Sequence, residues 1–326
     1  GAGFLLAHLI PEDELIPGVS YWLNSTCNEC PAGCGVKVRL INGNATKVEG
    51  NKQHPINFGG LCARGQSALQ GLYNPKRLES PARRSASGGL ERVSWSAALE
   101  TAKNADKDGK TIIISRHVTG AMHALIQNLT AQVSELEHVV YETLEYPFLA
   151  AANTACFGIE GIPVYKFQEA DLIISFGADF LETWLSPVSY AYGYSNMRSL
   201  RNGSIGKFIQ FESHWSLTGA NADERFMIPP GSELGIAGAI AAEMLPNAGL
   251  SEEELARWRE ILKPFSVERA AEVSGVSKAK IEGIIKLLRS GKPSLVIAGG
   301  SLARSKQATA LQVLVNLINS ACQNYG

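Results

Sequence analysis

The chain has 326 residues, of which 45% are hydrophobic and 19% are charged, and its 30 basic side chains nearly balance its 31 acidic ones. This is the composition of a globular protein with room for two or more hydrophobic cores. No basic stripe with interleaved aromatic residues is present, which argues against a nucleic-acid partner, and no apolar run reaches the roughly 18 residues that cross a bilayer.

Residues 1–80 are predicted to form short strands and turns. The opening residues 1–10 are apolar, and they fit either the remnant of an export signal or a strand that packs on a partner. Residues 35–43 alternate with period two and end in an Asn-Gly pair. This pattern predicts a hairpin whose return strand is 44–51.

A change of pattern follows the segment 79–92, which is rich in Ser, Gly and charge and is interpreted as a linker. Beyond it, helical and strand patterns alternate. Strands are predicted at 111–115, 138–142, 171–176, 206–212 and 294–298, and helices at 95–102, 119–133, 232–245 and 306–319. The region 251–292 is predicted to be helical, with "SEEE" and "SVER" as start signals and Gly275 and Gly291 as stops.

This alternation predicts an α/β fold, in which a small β-rich N-terminal domain precedes doubly wound, Rossmann-like parallel sheets with helices on both faces. The run at 111–115 is β-branched and is expected to be a buried parallel strand. We divide the chain into an N-terminal domain with its arm (1–80), a first α/β segment (81–145) and a second α/β domain (146–326).

Four of the six cysteines, Cys27, Cys30, Cys34 and Cys62, form a C-x2-C-x3-C-x27-C pattern. Such spacing crowds the sulfurs too closely for ordinary disulfides. A structural zinc site normally uses two paired knuckles, whereas three ligands from one loop and one distant ligand suit a cubane. The pattern favours a [4Fe–4S] cluster over zinc, and His54 is interpreted as a surface residue rather than a ligand.

The residues around these cysteines resemble a known family. The stretches "TCNECPAGCG" and "GGLCARGQ" are similar to the N-terminal cluster domain of the molybdopterin oxidoreductase (DMSO reductase) family. "RVSWSAALE", "ADLIISFGADFLETW" and "GANADERFMIPPGSELGIAGAIAAEML" resemble later family segments in the family's order. In that family a basic residue two positions past the fourth cysteine lies between cluster and pterin, and the resemblance assigns this position to Arg64.

Two sites in the sequence depart from the family pattern. The position of the molybdenum ligand falls at or near Glu145, which is not a ligand type of the family, and Cys156 is interpreted as a buried structural thiol. Where the family has an Asp-Pro-Arg-like turn beside its second nucleotide, this chain has 212–214, Glu-Ser-His, which keeps an acid but no basic clamp. Molybdopterin is therefore not expected.

These departures, together with "LIPEDELIPGVSYWLNSTC" and "FGADFLETWLSPVSYAYGY", resemble the molybdenum-free large subunit of alternative complex III and of menaquinone reductase complexes. The resemblance implies an electron-transfer or scaffold subunit of a menaquinol oxidoreductase on the periplasmic side of the cytoplasmic membrane. Implied partners are an iron–sulfur ferredoxin-like subunit, a multihaem cytochrome c and an integral membrane quinone-binding subunit. Two alternatives stay open: a fragment of a catalytic molybdopterin-dependent oxidoreductase, and a structural subunit without a redox centre.

Overall fold

The computed structural model describes residues 16–105, 111–116, 118, 120–141, 146–200, 204–300 and 305–325. The chain divides into two compact units, residues 1–145 and 146–326. The further division of the first unit near residue 80 stays a prediction.

The first unit begins with a three-stranded antiparallel sheet in the order β1-β2-β3. Its strands are β1 (Ser20–Thr26), β2 (Gly35–Ile41) and β3 (Asn44–Gly50). Asn42 and Gly43 join β2 to β3 with φ angles of 49° and 77°, as a two-residue turn of this hand requires. The predicted hairpin is therefore confirmed. Two short helices follow, α1 (Ala63–Gln66) and α2 (Ala68–Leu72).

The segment 79–92 is not a plain linker. It contains an antiparallel hairpin of two short strands, β4 (Ala82–Arg84) and β5 (Leu90–Arg92). Every residue of both strands is exposed, so neither strand shows the alternation of apolar and polar residues that identifies a half-buried strand. The interpretation of this segment as a linker was therefore wrong, because strands without such alternation leave no signal in the sequence.

The rest of the first unit contains a parallel pair of strands with two helices. These elements are α3 (Trp95–Ala105), β6 (Thr111–Ser115), α4 (Gly120–Gln132) and β7 (Leu136–Val140). The predicted strand at 111–115 is confirmed, but its burial is not, because Ile112 is 50% and Ile114 is 71% exposed. Their neighbours along the strand are partly buried, so the described residues cover one face of β6.

The second unit is built on a four-stranded parallel sheet in the order β10-β9-β8-β11. The strands are β8 (Leu172–Phe176), β9 (Lys207–Glu212), β10 (Glu224–Met227) and β11 (Ser294–Ala298). The chain proceeds outward from β8 to β10 and then returns to add β11 on the other side of β8. This reversal confirms the predicted doubly wound fold and places a switch point between β8 and β11.

Helices cover both faces of this sheet. Alternate residues of β8 point into different cores: Ile174 and Phe176 join one apolar cluster, while Ile173 joins the other. The helices of the described part of this unit are α5 (Pro147–Phe157), α6 (Pro187–Met197), α7 (Leu217–Ala220), α8 (Glu233–Met244), α9 (Glu252–Leu262), α10 (Val267–Ser274), α11 (Lys278–Leu288) and α12 (Ala308–Ala321).

The helical region between β10 and β11 starts as its sequence signals predict. Ser251 and Glu254 form a capping box at the start of α9, and Ser266 caps α10 by accepting a hydrogen bond from the Arg269 amide. Across the described ranges, no helix combines the length and the apolar character that crossing a membrane requires.

Candidate functional site

Three of the four clustered cysteines lie on the loop between β1 and β2. The amide of Cys27 donates to the carbonyl oxygen of Cys34 at 2.8 Å, which closes the base of this loop. Gly33 has a φ angle of 62°, a conformation that favours glycine. Cys34 is buried, and Cys27 and Cys30 are half-buried. The loop therefore gathers its three thiols at one end of the sheet.

The fourth cysteine, Cys62, is half-buried at the start of α1. The chain that leads to it runs tightly against the end of β3: a Cβ on Gly50 would lie 2.3 Å from the carbonyl oxygen of Gly59. Only glycine permits this approach. The contact brings the segment before Cys62 against the sheet that carries the other three cysteines.

The four thiols lie within electrostatic reach of one another. The pKa of Cys34 is raised to about 11, mainly by burial and to a smaller extent by the charges of Cys30, Cys27 and Cys62, in that order. Burial also raises the pKa of Cys27, with smaller contributions from Cys30 and Cys62. Thiolates that repel one another in this way are stabilised by a cationic centre placed among them.

This donor set fits an iron–sulfur cubane. Within the described ranges, no three His, Cys, Asp or Glu side chains meet at the distances of a single bound metal ion. In a cubane each thiolate binds its own iron, so the sulfurs do not converge on one ion. Four soft ligands on two adjoining loops meet the chemical requirement, and the assignment of each cysteine as a ligand stays a prediction.

Two basic side chains adjoin the cysteine loops. Arg64 is half-buried on α1, two residues past Cys62, and its place in an electron path stays a prediction. Arg116, which sequence analysis missed, donates from its guanidinium to the carbonyl oxygen of Asn28 at 2.6 Å. Arg116 follows β6, 88 residues after Asn28, so no local pattern signals the contact.

His54 packs against the cysteine loop rather than lying free on the surface. A Cβ on Gly35 would lie 2.3 Å from Cγ of His54. The imidazole Nδ1 is buried and has no hydrogen-bond partner within the part of the chain that the structure describes. The interpretation of His54 as a surface residue is therefore wrong.

A second group of polar side chains lies at the carboxyl end of the sheet in the second unit. Glu212 ends β9 and is buried, and its carboxylate accepts hydrogen bonds from Ser216 Oγ at 2.5 Å, Gln210 Nε2 at 3.2 Å and Arg225 Nε at 2.5 Å. Burial alone would raise the pKa of Glu212, but these hydrogen bonds hold it below its ordinary value. The Arg225 guanidinium also stacks on Trp215, 4.6 Å from the ring centroid.

Arg225 corrects the sequence interpretation of this turn. No basic residue stands in the Glu-Ser-His turn itself, but the neighbouring strand β10 supplies one to Glu212. Sequence analysis missed it because β10 is a four-residue strand of mixed polarity. The carboxylate of Glu212 is thus already bonded by groups of its own chain.

The switch point between β8 and β11 is lined by two glycine turns and an indole. Gly177 and Gly300 both have φ angles of 71°, and a Cβ on Gly300 would lie 2.6 Å from the carbonyl oxygen of Gly177. Trp184, only 1% exposed, places its Nε1 2.9 Å from the position of a Cβ on Gly299. In the described part of this edge, the indole packs against the turn that follows β11, and its buried Nε1 has no hydrogen-bond partner there.

Two further sequence expectations concern this region. Glu145, named at the position of the family's metal ligand, lies outside the described residues. Cys156, expected to be a buried thiol, is exposed in the last turn of α5, so that expectation was wrong.

A thiol-rich antiparallel sheet followed by a doubly wound α/β unit is the arrangement expected of an iron–sulfur domain that precedes a Rossmann-like unit. The chain matches the model of the molybdopterin oxidoreductase Fe4S4 domain over residues 21–74 and that of molybdopterin oxidoreductase over residues 77–326. It belongs to the molybdopterin oxidoreductase family. The resemblance read from the sequence is confirmed.

Individual relatives and a solved structure extend this result. The chain is 27% identical over 318 residues to the menaquinone reductase molybdopterin-binding-like subunit of Nitratidesulfovibrio vulgaris, covering 93% of this chain and 45% of that protein. It is 25% identical to the F420-dependent formate dehydrogenase subunit alpha of Methanocaldococcus jannaschii, and the match covers 90% of this chain and 45% of that protein. The solved structure of acetylene hydratase from Pelobacter acetylenicus shares the fold, with a TM-score of 0.71 and 13% sequence identity. The match covers 93% of this chain and 43% of that structure's chain. The chain thus spans less than half the length of these proteins.

Proposed function

We propose that the chain is an electron-transfer subunit of a menaquinol-linked respiratory oxidoreductase, with one [4Fe–4S] cluster and no molybdenum. The observation that carries the proposal is the approach of four thiols, on Cys27, Cys30, Cys34 and Cys62, at one end of the first sheet. The match to the family's Fe4S4 domain supports the cluster, and the similarity to a menaquinone reductase subunit supports the quinone-linked setting.

The residues of the chain would hold and shield the cluster. When bound, a [4Fe–4S] cluster takes up and releases one electron at a time. Burial of Cys34 and partial burial of the other three thiols limit the access of water to the centre, which lowers the effective dielectric around it. The guanidinium of Arg64, two residues past Cys62, would add positive charge that stabilises the reduced state.

We also propose an assembly of partners around this chain. An electron-transfer subunit needs a donor and an acceptor within the complex, and we propose an iron–sulfur ferredoxin-like subunit, a multihaem cytochrome c and an integral membrane quinone-binding subunit. The proposed location is the periplasmic side of the cytoplasmic membrane, where the chain is held through these partners.

The sheet edge of the second unit supports the absence of molybdenum. The carboxylate of Glu212 is bonded by Ser216, Gln210 and Arg225, and Trp184 packs against the glycine turn at the switch point. A nucleotide that used the Glu212 carboxylate would have to displace these hydrogen bonds. They support the proposal that this edge holds no nucleotide-bearing pterin.

A second candidate is a fragment of a catalytic molybdopterin-dependent oxidoreductase. It is favoured by the family match over residues 77–326 and by the similarity to a formate dehydrogenase subunit. This function would require the second unit to bind the pterin cofactor with an open sheet edge.

Elemental analysis of this subunit, separated from its partner subunits, distinguishes these functions. The proposal expects iron and acid-labile sulfide in equal amounts, an EPR signal in the reduced protein and no molybdenum. Molybdenum in amounts equal to the chain would favour the catalytic candidate. Anaerobically prepared protein without iron would overturn both, and zinc in its place would indicate a structural site.

A further inference from the structure

Asn57 occupies a special position beside the cysteine loops. In the first unit, within the residues that the structure describes, it is the only buried polar side chain, with 1% exposure. A buried amide is costly unless its donors and acceptor are bonded. Its bonding partners therefore indicate why a polar group stands there.

The side-chain amide of Asn57 joins the two loops that carry the cysteines. Its Oδ1 accepts from the amide of Gly35 at 2.8 Å, and its Nδ2 donates to the carbonyl oxygens of Gly35 at 2.9 Å and of Gly60 at 2.8 Å. Gly35 directly follows Cys34, and Gly60 stands two residues before Cys62. One side chain thus links the three-cysteine loop to the segment that delivers the fourth cysteine.

The chemistry of this link requires an amide. One acceptor and two donors are used, which is the pattern that Asn provides and that a carboxylate or a hydroxyl does not. The backbone adds one hydrogen bond on each side, from the Asn51 amide to the Gly35 oxygen and from the Gly60 amide to the Asn57 oxygen. The side chain is the only member of this group that contacts both loops.

We propose that Asn57 is a positioning residue for the iron–sulfur centre, and that it fixes Cys62 relative to the three-cysteine loop. A cubane is rigid, so a ligand held at the wrong distance binds its iron weakly. The inference rests on the proposed function, because it requires that a cluster is bound.

The test compares Asn57→Asp and Asn57→Ala in the full chain, reconstituted anaerobically with iron and sulfide. Asp keeps the acceptor for Gly35 but loses both donors, and it faces two carbonyl oxygens. Asn44→Asp is the matched control, because Asn44 lies exposed in the β2–β3 hairpin. The measurements are the rate of iron loss to a chelator and the order in which cysteines become alkylated, followed by mass spectrometry.

Two lost hydrogen bonds of ordinary strength correspond to about a thirtyfold change in an equilibrium constant. We therefore expect iron loss about thirtyfold faster in Asn57→Asp than in the wild type and the control, with Cys62 alkylated first. Alkylation of all four cysteines together would overturn the positioning role, because general destabilisation exposes them at once. Wild-type kinetics in both variants would overturn it too.

The two proposals fail in different ways. If the wild-type chain takes up no iron, the proposed function is overturned and the role of Asn57 with it. If the wild type takes up iron and the variants retain it equally well, only the role of Asn57 is overturned. Hydrogen exchange of the β2 amides shows whether Asn57→Asp folds. If it does not fold, Asn57→Gln, which keeps the amide group, is tested by the same two measurements, and a smaller increase in the rate of iron loss is expected.

Discussion

Gly35 offers the sharpest test of how the cysteine loop is packed. Its backbone φ lies outside the left-handed region, so alanine is conformationally acceptable there, and the cost of Gly35→Ala comes from contact alone. The new Cβ would lie 2.3 Å, 2.4 Å and 2.6 Å from Cγ, Cδ2 and Cβ of His54. Carbon atoms prefer separations of about 3.5–4.0 Å, so the ring or the loop must move by about 1 Å.

That displacement has a calculable cost. Overpacking by one methyl group in a tight site destabilises by about 1–3 kcal/mol. A shift of Gly35 also strains its two hydrogen bonds with Asn57, each of which contributes about 1 kcal/mol. We expect Gly35→Ala to destabilise the first sheet by about 3 kcal/mol, and the double variant Gly35→Ala, His54→Gly to recover more than about 1 kcal/mol of this loss.

The assay is native-state hydrogen exchange of the β2 amides in the chain without iron, since exchange reports local opening free energies. Gly71→Ala is the control: Gly71 lies in α2, and apart from its chain neighbours and its own helix backbone, no atom of the described residues lies within 4 Å of its added Cβ. This control is expected to be neutral or slightly stabilising. Unchanged exchange in Gly35→Ala, or a double variant as unstable as the single one, would refute the packing argument.

Four further predictions concern the second unit and the thiols. Arg225→Met leaves the buried Glu212 carboxylate without its charged partner. It is expected to lower the free energy of unfolding, measured by urea denaturation, by about 3 kcal/mol. The control Arg257→Met breaks an exposed ion pair and is expected to lower it by less than about 1 kcal/mol. The pKa of Glu212 is lower in the folded chain than in the unfolded chain. The carboxylate therefore stabilises the fold fully above its unfolded pKa, and this stabilisation is lost as the pH falls through its folded pKa. Glu212→Gln is expected to make the free energy of unfolding depend less on pH in this acidic range. In iron-free chain at pH 8, Cys34 is expected to react with iodoacetamide most slowly of the four clustered thiols, because its pKa is about 11. Exposed Cys156 should react whether or not iron is bound, and its protection by iron would contradict the proposed ligand set.

The sequence predicts those features whose physical cause is local. The hairpin at 35–51 follows from an Asn-Gly pair between alternating segments, because only a few residue types adopt positive φ angles at both turn positions. The doubly wound fold follows from alternating strand and helix patterns over 171–319. The cysteine spacing limits the chemistry of the site, because three thiols on one short loop already suit a cubane.

Contacts that depend on strand order or on tight packing cannot be read from such patterns. Arg225 reaches Glu212 only because β10 lies next to β9 in the sheet, and the twelve residues between them carry no periodic signal. The packing of His54 on Gly35 requires the fold of residues 51–60 to be known. Hairpin β4–β5 stays hidden because strands of three exposed residues have no apolar face.

Asn57 shows how the two kinds of information combine at the site. The cysteine pattern determines which atoms would bind iron, but it sets no distance between Cys34 and Cys62, which are separated by 27 residues of chain. That distance is set by a side chain whose own polarity would otherwise oppose burial. Because the amide satisfies Gly35 on one loop and Gly60 on the other, its burial is stable only when both loops are in place. The polar group therefore couples the folding of the segment before Cys62 to that of the three-cysteine loop, and a centre assembled on these four thiols would depend on that coupling.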